Sequence, residues 1–152
     1  MSSTDEPLDS VLEAGLDRLV AFYETLTPAS LDQLATVYAP QAHFKDPFNE
    51  VVGLAAIEAI FRHMFAQVQS PQFTVTARLR DGPQAMLGWI FAFGPPQRRI
   101  EVRGVSHLQL DRQGRVVVHR EYWDTAEELY AKLPLIGVLM RGLRRRFSAT
   151  QR

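Results

Sequence analysis

The sequence GRVVVHREYWD, residues Gly114 to Asp124, decides the fold prediction for this chain. The glycine closes a polar turn, and the three valines that follow predict a buried β-strand because β-branched side chains suit a pleated surface. Side chains alternate between the two faces of a strand, so His119, Glu121 and Trp123 share one face. Burying an imidazole and a carboxylate costs several kcal/mol unless they are paired or form a site. The strand end is therefore either a place where charges meet water or a candidate functional site.

Composition favours one globular domain over residues 1–152, and the resemblance described below implies a core at about 8–130. Hydrophobic residues make up 46% of the 152 residues, which is enough for one apolar core and excludes a disordered chain. There are 17 basic and 17 acidic residues, so nothing global favours nucleic acid or a membrane surface as a partner. No cysteine is present, which excludes disulfides, a thiolate nucleophile and a cysteine-based metal site.

The same composition predicts a cytoplasmic location. Residues 1–10 are polar and acidic and lack the apolar stretch of a signal peptide. No window approaches the roughly 18 consecutive apolar residues of a transmembrane helix. The absence of cysteine is compatible with the cytoplasm.

Hydrophobic periodicity and turn residues predict the other elements. The expected order is a helix ending at Thr27, a short helix from Ser30 to Tyr38, a strand over 42–48, a helix over 54–68, strands over 72–80, 84–93 and 99–110, and the valine strand. In the strand over 72–80, Phe73, Val75, Ala77 and Leu79 alternate onto one face. Helices followed by sequential strands with short turns predict an α+β fold with an antiparallel sheet.

A C-terminal helix is predicted over residues 126–147, interrupted at Pro134 and Gly137. Its apolar residues are followed by the basic run 144–146. A single short basic run gives only marginal membrane anchoring. Packing on this domain or on a second subunit is therefore favoured over membrane binding.

The order of elements and four short motifs resemble the NTF2-like superfamily, in particular its SnoaL-like and ketosteroid-isomerase-like proteins. The motifs are Tyr38-Ala39-Pro40, Asp46-Pro47, Gly53-Leu54-Ala55-Ala56-Ile57 and the final His-Arg-Glu-Tyr-Trp-Asp. The resemblance implies a cone in which a curved antiparallel sheet wraps on three N-terminal helices, with an added C-terminal helix and an apolar pocket. That fold hosts isomerases, cyclases, dehydratases, epoxide hydrolases and non-catalytic binders, so it does not name the reaction.

Asp46 matches the place where ketosteroid isomerases carry the Asp before Pro that shuttles the proton. Beside Phe44 and Phe48 its carboxylate would be partly desolvated, which would make it a stronger base. The alternative is that Asp46 only begins an Asp-Pro turn.

The same isomerases stabilise an oxyanion with a Tyr on the first helix and an acid on a long strand. In this chain the Tyr position falls on Phe22, with Tyr23 adjacent, and the acid position falls on Ser106. Both donors are altered, which removes several kcal/mol of transition-state stabilisation. Steroid isomerisation is therefore not expected.

Glu121 matches a second family pattern. SnoaL-like cyclases and limonene-epoxide-hydrolase-like enzymes carry an acid on the last strand in a His/Trp-x-Asp pattern, and Glu121 stands there two residues after His119. The hydrolases also need an Arg-x-Asp pair on a preceding strand, and residues 87–90 have neither residue. A single-acid proton transfer on Glu121 therefore stays open, and in it His119 would tune Glu121 or bind the ligand's oxygen.

The predicted site combines these residues. The predicted catalytic residues are Asp46, Glu121 and His119. Strand alternation and the resemblance together predict a ligand pocket lined by Phe22, Tyr23, Tyr38, Phe44, Phe48, Leu87, Trp89, Phe91, Ser106 and Trp123. The ligand expected there is a small apolar, oxygenated molecule. No pair of histidines has metal-ligand spacing on a helix, so neither a metal nor another cofactor is expected.

A second copy of the chain is the expected protein partner. The outer face of the sheet is polar and aromatic, with Arg103, His107, Arg120 and Tyr122, and family members often dimerise through the sheet.

Two functions fit the sequence. The first is a small enzyme that performs isomerisation, cyclisation or dehydration by general acid/base chemistry with Asp46 and Glu121. The second is a non-catalytic ligand-binding or dimerisation module that keeps the pocket. The altered donor positions favour the module, and the two acids at the family's working positions favour the enzyme. The separation and burial of the two carboxylates discriminate between them.

Overall fold

Residues 5–128 are described by the structure, a computed structural model. The elements are α1 (Asp5–Glu24), a 3-10 turn (Ala29–Gln33), α2 (Leu34–Val37), β1 (Tyr38–Lys45), β2 (Glu50–Val52), α3 (Leu54–Gln67), β3 (Gln72–Asp81), β4 (Gln84–Phe93), β5 (Ile100–Leu110), β6 (Val116–Tyr122) and α4 (Thr125–Glu128). No helix in this range is long and apolar enough to cross a membrane. The α+β class predicted from the sequence is confirmed.

The six strands form one sheet in the order β2-β1-β6-β5-β4-β3. Strands β3 to β6 follow one another as an antiparallel meander, as their short turns require. Strand β6 then lies beside β1 and parallel to it, with Phe44 opposite His119. The sheet is therefore mixed, with one parallel pair in a sheet that the sequence predicted to be antiparallel. The long connection through α3 and the meander lets the chain return in the same direction.

The structure also differs from the predicted end of the second helix, adds one short strand, and describes only the start of the predicted C-terminal helix. Tyr38 was expected in the short second helix, but α2 is four residues long and Tyr38 has extended dihedrals, φ −112 and ψ 140, as the first residue of β1. Strand β2 was not predicted, because its three residues are too few to show alternation. The helix expected over 126–147 begins as α4, and its remainder lies outside the described residues.

One apolar core joins the helices to the sheet. It contains Leu16 and Leu19 of α1, Ile57 of α3 and Leu108 of β5, each at most 1% exposed. Fully burying an aliphatic side chain of this size contributes about 1.5–3 kcal/mol. The core therefore holds α1 against the face of the sheet that carries the site.

Strand β3 changes face at an irregularity between Val75 and Ala77. Before it, Phe73 and Val75 pack on the core. Beyond it, Leu79 is 70% exposed. The prediction that Leu79 continues the face of Phe73 is wrong, because an extra residue in one strand shifts the alternation by one.

Charged side chains tie β3 to α1 beyond this irregularity. Arg78 contacts Glu13 and lies 2.6 Å from Asp17, and Arg80 lies 2.7 Å from Glu13 and 2.6 Å from Asp9. The hydrogen bond from Arg80 is the main reason that the pKa of Glu13 lies below its ordinary value. Positive charge from both arginines adds to this lowering.

We expect acidic pH to weaken the ion pairs that Glu13 forms with Arg78 and Arg80. Between its lowered folded-state pKa and the ordinary value of 4.5, Glu13 holds fewer protons when folded than when unfolded. Its contribution to the free energy of unfolding is therefore present above 4.5 and lost as the pH falls through the folded-state pKa. We expect Glu13→Gln to remove a contribution of about 0.5 kcal/mol, since half-exposed pairs are screened by solvent. Urea unfolding at neutral and at acidic pH measures it, and an identical pH dependence in both proteins would contradict it.

Candidate functional site

His119 lies on β6 in the middle of the sheet and is 1% exposed. Strand β6 runs between β1 and β5, so the imidazole is enclosed by residues of both neighbours. The Phe44 ring centroid is 4.8 Å from the imidazole, and the Tyr38 ring stacks on it at an interplanar angle of 13°. The inward position predicted for His119 from strand alternation is what the structure shows.

Two tyrosine hydroxyls meet the Nδ1 side of His119. The Tyr38 hydroxyl lies 2.7 Å from Nδ1, and the Tyr23 hydroxyl, carried by α1, lies 2.5 Å from that of Tyr38 and 3.4 Å from Nδ1. Burial raises the pKa of Tyr23 well above 10.0, and Tyr38 and Glu121 raise it further. Burial likewise raises the pKa of Tyr38. Both phenols are therefore neutral hydrogen-bond donors.

Serine, tryptophan and glutamate meet the Nε2 side. Ser106 Oγ on β5 lies 3.0 Å from Nε2, and the Trp89 indole N–H donates to the same oxygen at 2.9 Å. The Glu121 carboxylate lies 3.4 Å from Nε2. Gly104 makes room for this arrangement, because a Cβ there would lie 2.3 Å from the Trp89 indole.

The cavity beside this network is nearly filled. It has a volume of about 10 Å³, room for about one water molecule. Its described lining residues are Leu19, Tyr23, Phe73, Val75, Leu87, Trp89, Ser106, His119 and Glu121. We call it the inner cavity.

A larger groove opens beyond the ends of β1 and β6. It has a volume of about 540 Å³, and its described lining residues are Lys45, Asp46, Pro47, Arg120, Glu121, Tyr122, Trp123 and Asp124. We call it the outer groove. The Trp123 ring packs edge-on against Phe48 with centroids 5.7 Å apart. Glu121, whose side chain is 12% exposed, lines both the outer groove and the inner cavity.

Asp46 lies on the outer groove but not on the inner cavity. Its carboxylate accepts hydrogen bonds from the backbone N–H groups of Phe48 at 2.7 Å and Asn49 at 2.6 Å. The Asn49 side-chain amide lies 3.1 Å from both carboxylate oxygens. These contacts are those of the Asp-Pro turn that the sequence offered as the alternative. A catalytic role for Asp46 stays a prediction.

The predicted lining residues do not share one apolar cavity, which corrects the single pocket expected from the sequence. Tyr23, Leu87, Trp89 and Ser106 line the inner cavity, and Trp123 lines the outer groove because β6 ends one residue before it. Phe48 is 57% exposed. Phe22, Tyr38 and Phe44 are buried in the core, and Phe91 stacks on Phe73 with centroids 4.5 Å apart. Alternation gives the face of each strand but not where the cone closes.

The paired hydroxyls were missed by sequence reasoning. Phe22 occupies the position where ketosteroid isomerases carry the oxyanion-donating Tyr, so the sequence predicted that this donor is absent. The next residue of α1, Tyr23, instead brings a phenol hydroxyl into contact with that of Tyr38. The available signal was a tyrosine one position away from the expected one. A helix turns by about 100° per residue, so only the packing of α1 decides which of the two side chains reaches His119.

Comparison with known proteins agrees with the fold. Residues 19–119 match the family model of the SnoaL-like domain. No curated protein was found to be similar to the sequence at a significant level.

Several solved structures are similar in fold. One is a protein from Jannaschia sp. CCS1 described as a SnoaL-like polyketide cyclase, with 14% identity, a TM-score of 0.65 and coverage of 78% of this chain and 88% of that chain. A Catenulispora acidiphila protein with a ketosteroid isomerase-like fold has 17% identity, a TM-score of 0.65 and coverage of 79% and 93%. An epoxide hydrolase from M. tuberculosis has 14% identity, a TM-score of 0.65 and coverage of 88% and 96%.

These identities are low, so the structural likeness concerns the fold alone. The family model covers more than half of the 152 residues and spans the elements from α1 to His119. The strand order, the buried His119 and this match lead to one conclusion: the chain belongs to the SnoaL-like domain family, within the NTF2-like fold.

Proposed function

We propose that this protein binds a small apolar, oxygenated molecule in the outer groove and moves a proton on it with Glu121. One observation carries the proposal. The Glu121 carboxylate lines the outer groove and also lies 3.4 Å from a buried imidazole, His119. A carboxylate that is largely shielded from water and still borders a groove is placed to accept a proton from a ligand and return it.

The proposed proton transfer proceeds on the ligand as follows. Glu121 accepts a proton from a carbon next to the ligand's carbonyl group, and the electron pair of the C–H bond moves onto the carbonyl oxygen as an enolate. Return of the proton at another carbon gives isomerisation. Attack of the enolate carbon on a second carbonyl group of the same ligand gives cyclisation, with the proton delivered to the new alkoxide.

The walls of the outer groove fit such a ligand. Trp123 supplies aromatic surface beside Glu121, and Phe48 extends it through its contact with Trp123. The groove is open to solvent, and its volume of about 540 Å³ leaves room for a small molecule beside Glu121.

Asp46, the second acid predicted from the sequence, has a smaller role in this proposal. It lies on the same groove as Glu121. Its Oδ1 already accepts two backbone N–H groups, which hold the carboxylate in the turn. We therefore propose Glu121 as the proton acceptor and Asp46 as a residue of the groove rim.

A non-catalytic binding module is the second candidate. The inner cavity favours it because it leaves little room for a substrate beside the buried polar groups. The cavity holds only about 10 Å³. The polar groups around it, from Tyr23 to Ser106, satisfy one another by hydrogen bonds. A network of this kind can be retained for folding alone.

Exchange of carbon-bound hydrogen tests the proposal without knowledge of the ligand. Native mass spectrometry first identifies any small molecule that co-purifies. That molecule, or a panel of small cyclic and aromatic ketones, is then incubated with the protein in D2O and followed by NMR. Deuterium uptake next to the carbonyl group, faster than in buffer, supports the enzyme. A bound ligand without uptake or conversion supports the binding module.

We further propose that the chain forms a homodimer through the outer face of the sheet. Three exposed apolar side chains lie on this face, Leu79 at 70%, Met86 at 39% and Tyr122 at 48% exposure. Leu79 and Met86 are neighbours across β3 and β4, and His107 of β5 follows Met86 in the same row. We propose that a second copy of the chain covers the adjacent exposed pair Leu79 and Met86.

Sedimentation at micromolar concentration measures this association. The expected species has twice the 17.2 kDa mass of one chain. Met86→Lys should shift the equilibrium toward the monomer, because it places a charge in the middle of the buried row. A single 17.2 kDa species in the unmutated protein would contradict the proposal.

A further inference from the structure

Two cationic side chains border the outer groove, and they differ in their partners. Lys45 Nζ lies 3.5 Å from a carboxylate oxygen of Glu50. Arg120 is exposed, and among the residues from 5 to 128 its guanidinium has no ion pair and no hydrogen bond. Its guanidinium carbon lies 4.9 Å from the centroid of the Tyr122 ring. The guanidinium is therefore held over an aromatic ring, with its N–H donors left for a further partner.

The acidic residues of the same groove have other contacts. Asp46 accepts the backbone N–H groups of its turn. Asp124 Oδ1 accepts the backbone N–H of Glu127 at 3.0 Å, at the start of α4. The Glu121 carboxylate lies 3.4 Å from the imidazole of the buried histidine on β6. None of these contacts involves Arg120, so its positive charge is available to a bound molecule.

Arg120 and Glu121 leave opposite faces of β6, because successive side chains of a strand alternate. Both nevertheless line the outer groove, since β6 ends at Tyr122 and the groove opens beyond that end. A molecule that contacts both side chains must therefore span the end of the strand. The group that meets Arg120 is then remote from the carbon on which Glu121 acts.

We propose that the ligand of the outer groove carries a carboxylate at the end remote from its reacting carbon, and that Arg120 selects this group. The inference rests on the proposed function, because it places the ligand between Arg120 and Glu121. A guanidinium presents a fork of N–H donors that matches the two oxygens of a carboxylate. A single negative charge suits this groove better than the nearly double charge of a phosphate, because three acidic side chains also border it.

Arg120 is separate from the apolar pair assigned to the proposed dimer. The strand registers place Leu79, Met86, His107 and Arg120 in one row across β3, β4, β5 and β6. Neighbouring strands lie about 4.8 Å apart, so Arg120 is roughly 10 Å from Met86 along this row. Different substitutions therefore test the dimer and the carboxylate site.

The acid 4-acetylbenzoate and its methyl ester are a matched pair of probes. Both carry an acetyl group whose methyl hydrogens lie next to a carbonyl, and they differ in charge at the far end of the ring. NMR titration of the full-length protein measures both affinities, and the same samples in D2O report deuterium uptake. The unmutated protein should bind the acid about fivefold more tightly than the ester, the upper range for an ion pair exposed to solvent. It should bind 4-acetylphenyl phosphate more weakly than the acid.

Substitution of Arg120 should change the affinity for the acid alone. Arg120→Gln should lower that affinity about fivefold and leave the ester unaffected. Arg120→Lys keeps the charge without the fork and should retain part of the preference. Arg112→Gln is the control, because it removes the same charge from an exposed residue in the turn before β6, at the other end of that strand. It should keep the full preference. Salt at about 0.5 M should reduce the preference in the unmutated protein.

Equal affinities for the acid and the ester in the unmutated protein would overturn the inference. So would the absence of binding of the acid at millimolar concentration, or a full preference in Arg120→Gln. Tighter binding of the phosphate than of the acid would overturn the assignment of a carboxylate. Failure of the proposed function has a different signature. In that case Arg120→Gln would abolish the preference, but neither compound would take up deuterium faster than in buffer, or Glu121→Gln would leave the uptake unchanged.

Discussion

Glu121→Gln is expected to lower turnover of the ligand by about 10²–10⁴-fold, the usual contribution of a general acid/base residue. The amide has the shape of the carboxylate and can keep its 3.4 Å contact with His119 Nε2. It cannot take up a proton at neutral pH. The loss should therefore be in kcat, with the binding of the ligand nearly unchanged. Deuterium exchange or product formation, measured at saturating ligand, gives the ratio.

Asp46→Asn is the matched comparison for this variant. An asparagine oxygen can still accept the N–H groups of Phe48 and Asn49 that Asp46 holds at 2.7 and 2.6 Å, so the turn is retained. A loss confined to Glu121→Gln would support a single-acid mechanism. A loss of similar size in both variants would instead restore the two-carboxylate mechanism expected from the sequence. Equal rates in the unmutated protein and in Glu121→Gln would leave only the binding module.

Gly15→Ala is expected to lower the free energy of unfolding by about 3 kcal/mol, as overpacking of a tight contact does. Gly15 lies in the middle of α1, where alanine would ordinarily stabilise a helix by up to about 1 kcal/mol. Here a Cβ would lie 2.1 Å from the carbonyl oxygen of Gly114, in the turn between β5 and β6. Because the obstacle is backbone, it cannot rotate away as a side chain could. Helix α1 must shift, and it carries Tyr23 with it.

Ala14→Gly is the control for helix propensity at the neighbouring exposed position. It should cost no more than about 1 kcal/mol. Urea unfolding of both variants separates the two effects. A Gly15→Ala protein that is as stable as the unmutated one would show that α1 does not pack on the Gly114 turn as described.

Much of the fold follows from local pattern. The period-2 alternation of β4, β5 and β6 correctly placed Trp89, Ser106 and His119 on the buried face, because successive side chains of a strand point to opposite sides whatever lies around them. Helical periodicity likewise predicted α1 and α3. These features depend on residues that are close in the sequence.

The sequence pattern did not predict features of the fold that depend on contacts between residues far apart in the chain. Leu79 left the core face because one extra residue in β3 reverses the alternation, and nothing within the strand's own pattern marks that point. The direction of β1 relative to β6 depends on how 70 intervening residues return, which alternation does not encode. The sequence around Asp46 was compatible with a partly buried base and with a turn residue. The hydrogen bonds from the backbone N–H groups of Phe48 and Asn49 are those of the turn.

By itself, the sequence determined the α+β class, the buried faces of the strands and the common face of His119 and Glu121. The tertiary structure alone decided that two hydroxyls 15 residues apart would meet at a ring nitrogen 81 residues further along the chain. It also decided that the inner cavity would be nearly filled, with Glu121 at the outer groove. The physical reason is the separation along the chain of the residues that decide each feature. Backbone sterics set alternation locally, whereas hydrogen-bond partners and cavity volume depend on the packing of α1, β1, β5 and β6 against one another.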